Sequence, residues 1–289
     1  MAEKLKFEHI VVETPIKKDK TGNVVSGTID ANYAVITINR PDKLNALTVQ
    51  TTEEIATALK SMEIDPDIRC VVLRGSKEVT KKPAFSAGAD LSSSMGTGVK
   101  PNIPMHMSIA MRMRMRNYDE IEQFTKPLIA AVDGFALGGG CELVLVCDIV
   151  IASKRSTFGF PEIHRGILPA NGGCIRMARR IGVNRAIRMA YFGEQFTAEQ
   201  MIDFGLVSWV ANDGEEFENL VHEKAKWLGD AATTALYVIK KCTKFGTQVP
   251  VEIGLHLEQL GFGLNSASSD VKEGINAFLK KTEPKYKGF

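Results

Sequence analysis

Residues 135–152, FALGGGCELVLVCDIVIA, constrain the chain more than any other stretch. Three glycines in a row are followed, after Cys141, by one carboxylate, Glu142, and then by Leu143, Val144, Leu145 and Val146. A carboxylate buried without a partner is costly, so such a group pairs, neutralises or takes part in chemistry. Taken alone, the stretch leaves two readings open. Glu142 points out of a short helix or meets a nearby Arg, or it serves a reaction.

A chain of 289 residues can bury a full core as one large domain or as a core with a smaller lobe. Its 36 basic and 34 acidic residues give a formal charge of +2, which provides no bulk field for a nucleic acid or a membrane surface. The longest apolar runs fall short of the ~18 residues of a spanning helix, and Asp148 interrupts the best of them. The start, MAEKLKFEHI, has no apolar core of a secretory signal. Cys70, Cys141, Cys147, Cys174 and Cys242 are odd in number and lack CxxC spacing, so reduced thiols packed as small hydrophobes are expected, which implies the cytoplasm. His9, His106, His164, His222 and His256 are scattered, and no metal site is expected.

HIVVE and YAVITIN read as strands on either side of a Lys/Asp/Gly-rich insertion at 16–23, and the second stops before Pro41. TVQTTEEIATALKSMEID has helical spacing through Ile55, Leu59 and Met62, with Thr51 or Thr52 as the cap. CVVLRG is a short buried strand ending at Gly75, and strand, helix and strand in this order predict packed α/β layers. Residues 86–104 are loop material rich in Ser, Gly and Pro. On the helix carrying MRMRMR (111–116), Met107, Met111 and Met115 share a face, with Arg112 and Arg116 beside it. This fits a Met stripe on a core or acyl pocket better than a nucleic-acid patch. KPLIAAVDG is another strand, AIRMAYFG a helix ended by Gly193, and TAEQ at 197–200 a capping box. From about residue 215 the pattern is helical to the end.

FSAGADL (85–91), KPLIAAVDGFALGGGCEL (126–143), FGFPEIHRGILPANGG (158–173) and TAEQMIDFGLV (197–207), in this order and spacing, resemble the crotonase (enoyl-CoA hydratase/isomerase) superfamily. NRPDKLNAL (39–47) and EGINAFLKK (273–281) extend the resemblance over nearly the whole chain. It implies an α/β, crotonase-like fold of repeated β-β-α units. Residues 1–205 would form the acyl-CoA-binding and catalytic core. A helical C-terminal lobe over 206–289 would mediate assembly into a homotrimer or homohexamer and complete the CoA site.

The resemblance further implies that the N–H groups of Ala89 and Gly139 grip a thioester oxygen as it becomes an enolate. A Gly-rich turn feeding a helix N-terminus is physically suited to that task. Glu142 would orient and activate the water that adds at C3, and Glu162 would deliver the proton at C2. Lys43, Leu44, Ala46, Ala87, Asp90 and Leu91 would contact substrate, as would Gly140, Ala170, Phe278 and Lys281. Coenzyme A belongs to the substrate, so no cofactor is implied. The chain departs from the family pattern in places. PANGG stands where hydratases often read PGxGG, so Ala170 keeps an N–H but loses backbone freedom. Ser92 stands where many members carry Lys, which leaves Lys43, Lys280, Lys281 and Lys285 as phosphate candidates. The segments around 14–34 and 92–104 are longer than expected.

Both carboxylates together favour reversible hydration of a short-chain or cyclic 2-enoyl-CoA. Alternatives are an enoyl-CoA isomerase or acyl-CoA hydrolase of the same superfamily, an RNA-binding hydratase and a non-catalytic scaffold. Charge balance argues against the third and retention of both acids against the fourth.

Overall fold

The computed structural model describes residues 6–19, 21–92 and 104–288. In chain order the strands are β1 (Ile10–Glu13), β2 (Lys17–Lys18), β3 (Val24–Ser26), β4 (Tyr33–Ile38), β5 (Cys70–Gly75), β6 (Ala84–Ser86), β7 (Leu128–Val132), β8 (Phe135–Leu137), β9 (Ile149–Ser153), β10 (Thr157–Gly159), β11 (Gln195–Thr197) and β12 (Trp209–Ala211). The helices are α1 (Val49–Met62), α2 (Pro104–Gln123), α3 (Gly139–Val146), α4 (Gly173–Ile181), α5 (Val183–Phe192), α6 (Ala198–Asp203), α7 (Glu215–Asp230), α8 (Thr233–Lys240), α9 (Val251–Ser266) and α10 (Ser269–Lys280).

Two sheets grow in step. The larger runs β1-β4-β5-β7-β9-β12, parallel except for β1, and the smaller runs β11-β10-β8-β6, parallel except for β11. Each of three successive turns (β5-β6-α2, β7-β8-α3, β9-β10-α4) gives one strand to each sheet and then a helix. This is the expected α/β architecture of repeated β-β-α units. The insertion at 14–34 contains the β2-β3 hairpin, anchored by Lys17 to Asp65 and Asp67. Most of the long 92–104 segment lies outside the described residues.

Strands covered on both faces need apolar residues at every position rather than at alternate ones. β7 meets that demand along its length and β5 from Cys70 to Leu73, and both strands are buried throughout. Their alternation divides two cores: Val71, Leu73, Leu128, Ala130 and Val132 face the larger one. Cys70, Val72, Ile129 and Ala131 face the other, under α7. The cap of α1 lies earlier than expected. Thr48 accepts from the Thr51 N–H while the Thr51 hydroxyl answers the Thr48 N–H, so Thr51 is the far member of a capping box. Thr197 and Gln200 form the predicted box on α6.

Charges fix the later helices. Arg74 makes a bidentate pair with Glu218 at 2.6 and 2.8 Å, clamping α7 to the end of β5. Asp148, between α3 and β9, accepts the Leu128 N–H at 2.8 Å and pairs with Lys240 at 2.7 Å and Lys244 at 3.0 Å. The Asp270 carboxylate takes the N–H groups of Lys287 and Gly288 at 2.7 and 2.8 Å, folding the tail back onto α10. Among the described residues, no helix is long and apolar enough to cross a membrane.

The Lys240 side chain is only 6% exposed, so its charge depends on Asp148. Asp148→Ala is expected to destabilise the fold by about 3–5 kcal/mol, the scale for leaving a buried charge unpaired. The measurement is the shift in the urea unfolding midpoint.

Candidate functional site

The site forms where α3 starts beneath the turn after β6. Ala87 donates its N–H to the Leu44 carbonyl, Leu47 to that of Gly88, and Asp90 to that of Leu47. The strip from Lys43 to Leu47 therefore runs beside Ala87–Asp90. Arg40 braces both, reaching the Ala46 carbonyl and pairing with Asp90 at 3.0 Å. Leu44 and Asn45 hold positive φ, and the Asn45 side chain donates to the Ala84 carbonyl at 2.7 Å. Lys43 and Leu91 are exposed, whereas Leu44, Ala46, Ala87, Ala89 and Asp90 are half-buried.

Two backbone turns meet here at a separation that side chains would prevent. A Cβ on Gly88 would come within 3.3 Å of the Gly139 nitrogen, and one on Gly139 within 3.5 Å of the Ala89 nitrogen. Gly140 passes closer still, since its Cβ would lie 2.5 Å from the Ser86 carbonyl oxygen. Neither the Ala89 nor the Gly139 N–H donates to a protein acceptor among the described residues. At a helix start such an amide is available to a ligand oxygen. Tyr118 of α2, fully buried, fixes the turn by donating to the Gly139 carbonyl at 3.1 Å.

Glu142, 1% exposed, points inward, and donors of the 169–173 loop satisfy it. Its Oε1 accepts the Asn171 N–H at 2.6 Å and the Gly173 N–H at 2.9 Å, and its Oε2 accepts the Asn171 side-chain amide at 2.7 Å. Burial pushes its carboxyl above the usual range, while these donors and the nearby Arg114 oppose the rise. Arg176 of α4 holds the loop, donating to the Asn171 carbonyl at 2.9 Å while pairing with Glu122 and Asp119 of α2.

Glu162 stands on a short 3-10 turn, Pro161–Arg165, reached through β10. Its Oε1 lies over Gly138, where a Cβ would approach to 2.6 Å. Gly138 has φ +52° and ψ −124°, a conformation open to glycine. Glu162 Oε2 is buried with no hydrogen-bond partner. Burial, and then the neighbouring Glu142, push its carboxyl up to about 7. The fold thus brings together two acids twenty residues apart, one rich in donors and one poor.

Ala170 stands half-buried at the head of the loop. Phe278 is 82% exposed and Lys281 is exposed just beyond α10. Among the described residues no side-chain hydrogen bond or ion pair joins either one to the site within a single chain. Arg114 of the MRMRMR run, which the sequence reading did not place, is 3% exposed, hydrogen-bonds the Tyr118 hydroxyl and lies near Glu142. Its signal was available, since Arg114, Tyr118 and Ile121 share one helix face and are all buried. Met111 and Met115 are half-buried, and the Met107 side chain lies outside the described residues.

Comparisons with known proteins place the chain in one family. The family described as enoyl-CoA hydratase/isomerase matches residues 28–288, and the chain belongs to that family. It is similar to the 2,3-dehydroadipyl-CoA hydratase of Escherichia coli, with 35% identity covering 88% of this chain and 94% of the relative. It is also similar to the short-chain-enoyl-CoA hydratase of Clostridium acetobutylicum, with 34% identity covering 90% and 95%. Among solved structures, an enoyl-CoA hydratase from Bacillus anthracis superposes with a TM-score of 0.84 at 30% identity, covering 98% of this chain and all of the other. The chain is an enzyme of this family.

Gly139→Ala tests the paired amides. The new methyl would sit 3.5 Å from the Ala89 nitrogen and 3.3 Å from the Tyr118 hydroxyl, tight enough to obstruct the amides and loose enough to fold. Turnover is expected to fall roughly 10²-fold or more with little change in melting, the scale for losing one oxyanion donor. Full activity in the folded variant would place the thioester oxygen elsewhere.

Proposed function

We propose that the chain catalyses reversible hydration of a 2-enoyl-CoA to a 3-hydroxyacyl-CoA, on a short-chain or cyclic acyl group. The observation that carries this reading is the pair of buried carboxylates with opposite hydrogen-bond environments, beside two amide N–H groups free to donate to an oxyanion. Ala89 and Gly139 hold the thioester oxygen and stabilise the enolate. Glu142, the donor-rich acid, orients water and accepts its proton as the water oxygen bonds to C3. Glu162, the donor-poor acid, gives its proton to C2. One O–H bond of water breaks, C–O and C–H bonds form, and the proton count is kept because one acid gains what the other loses.

Lys43, Leu44, Ala46, Ala87, Asp90 and Leu91 frame the CoA thioester in this reading, with Gly140 and Ala170 closing around the acyl end. No resident cofactor enters the reaction, because coenzyme A arrives with the substrate. The cytoplasm, with its reduced thiols, is the proposed compartment, and neither nucleic acid nor a membrane is a proposed partner.

Glu142→Gln and Glu162→Gln are each expected to lower kcat by at least ~10²-fold with little change in KM. Hydration at near wild-type rate by Glu142→Gln would overturn the hydratase reading in favour of an isomerase or hydrolase. The sign of the pH dependence follows from Glu162. Its proton is present below about 7, so kcat/KM is expected to decline as pH rises through that value, the limb belonging to the coupled pair.

The C-terminal lobe is proposed to assemble copies of the chain. On α9, Ile253, Leu255, Leu257, Leu260, Phe262 and Leu264 are all exposed, an apolar surface too extensive for a helix facing water. A trimer or a pair of trimers would cover it and could carry Phe278 and Lys281 to a neighbour's CoA. Sedimentation equilibrium at micromolar concentration is expected to give three or six times the 31.7 kDa chain mass. A single-chain mass would remove this assembly from the reading.

A further inference from the structure

Asn171 occupies the position that the PGxGG pattern leaves open. Its side chain is 4% exposed, and Nδ2 donates to Glu142 Oε2 at 2.7 Å. With Nδ2 facing Glu142, the amide is matched to the ionised carboxylate, which only accepts; a protonated carboxyl could instead donate to Oδ1. Oδ1 is thereby left buried without a donor. Such a carbonyl costs stability that a small apolar residue at 171 would not. The backbone N–H groups of Asn171 and Gly173 already hold Glu142 through Oε1. What the carboxamide adds is a donor on the second oxygen.

We propose that Asn171 is a positioning residue that fixes the division of labour between the two acids: its amide keeps Glu142 ionised, leaving Glu162 as the acid that carries the proton. The proposal rests on the hydratase reading for its catalytic meaning, though not for its electrostatics. The groups facing Glu142 are Arg114 and Tyr118 from α2, Glu162 from the 3-10 turn, Cys174 from α4 and Cys141 beside it on α3. Burial is the largest influence and raises the Glu142 carboxyl; the Asn171 side-chain amide is the foremost group opposing it, followed by the Gly173 and Asn171 N–H groups and Arg114. Without Nδ2 the balance between the two acids narrows. The shared proton then divides between them, and only one of the two arrangements can protonate C2.

Asn171→Ala and the isosteric Asn171→Asp test this in two ways. The first is the pH dependence of kcat/KM for hydration of 2-butenoyl-CoA. The ascending limb is expected to move up by about one pH unit in Asn171→Ala, the scale of one lost charge-stabilising hydrogen bond. In Asn171→Asp a third acid shares the site, and the limb is expected to move further. The second readout is a carbon-13 titration of the Glu142 carboxyl, identified by its disappearance in Glu142→Gln, which should shift in the same direction without any turnover. If Asn171→Ala does not fold, Asn171→Asp carries the test. An unmoved limb and an unmoved carboxyl titration in a folded variant overturn the proposal. A wild-type protein that does not hydrate 2-enoyl-CoA, but whose Glu142 titration moves with Asn171, overturns the hydratase reading and leaves this hold on Glu142 standing.

Discussion

A carboxylate sealed inside an apolar helix must be answered by donors, and much of the active face of this molecule follows from that demand. Glu142 cannot turn to water, so the 169–173 loop turns to it and supplies two backbone N–H groups and one side-chain amide. Holding the loop there needs Arg176, which in turn needs the acids of α2. The second acid approaches by a separate route, over a glycine on the strand-to-helix turn. One buried charge therefore organises segments from three parts of the chain.

The strands and the turn chemistry were legible in the sequence because they are local. Continuous apolar runs mark β5 and β7, since strands covered on both faces admit little else. The position of Glu142 one turn into a helix follows from three glycines and an apolar run. The proximity of Glu162 did not follow from spacing and came only through resemblance to a family, because β9 and β10 intervene. The helical spacing points to Thr51 or Thr52 as the cap, whereas Thr48 holds that place; three threonines close together satisfy the same local pattern, and only dihedral angles separate them. Nothing local in the sequence marks Asn171, for its partner lies 29 residues away.

The alternating MRMRMR run shows how composition can mislead. Residues two apart on a helix differ by about 200°, so Arg114 lies across the helix from Arg112 and Arg116. Arg114 faces inward in line with Tyr118 and Ile121. Its guanidinium lies near the buried acid and supplies a positive potential there. The methionines divide between half-buried and exposed positions, so no single stripe accounts for them.

Gly138 carries a consequence for how this chain could diverge. The two acids are not equally secure. Glu142 is held by a loop whose donors are largely backbone, whereas Glu162 occupies its place partly because residue 138 has no side chain. One added carbon at that turn would strain the backbone and evict the carboxylate, while the paired amides and Glu142 kept their supports. A lineage could therefore pass from two apposed acids to one through a single codon, without rebuilding the scaffold. The reverse passage would need only the loss of that carbon, provided an acid still waited at 162.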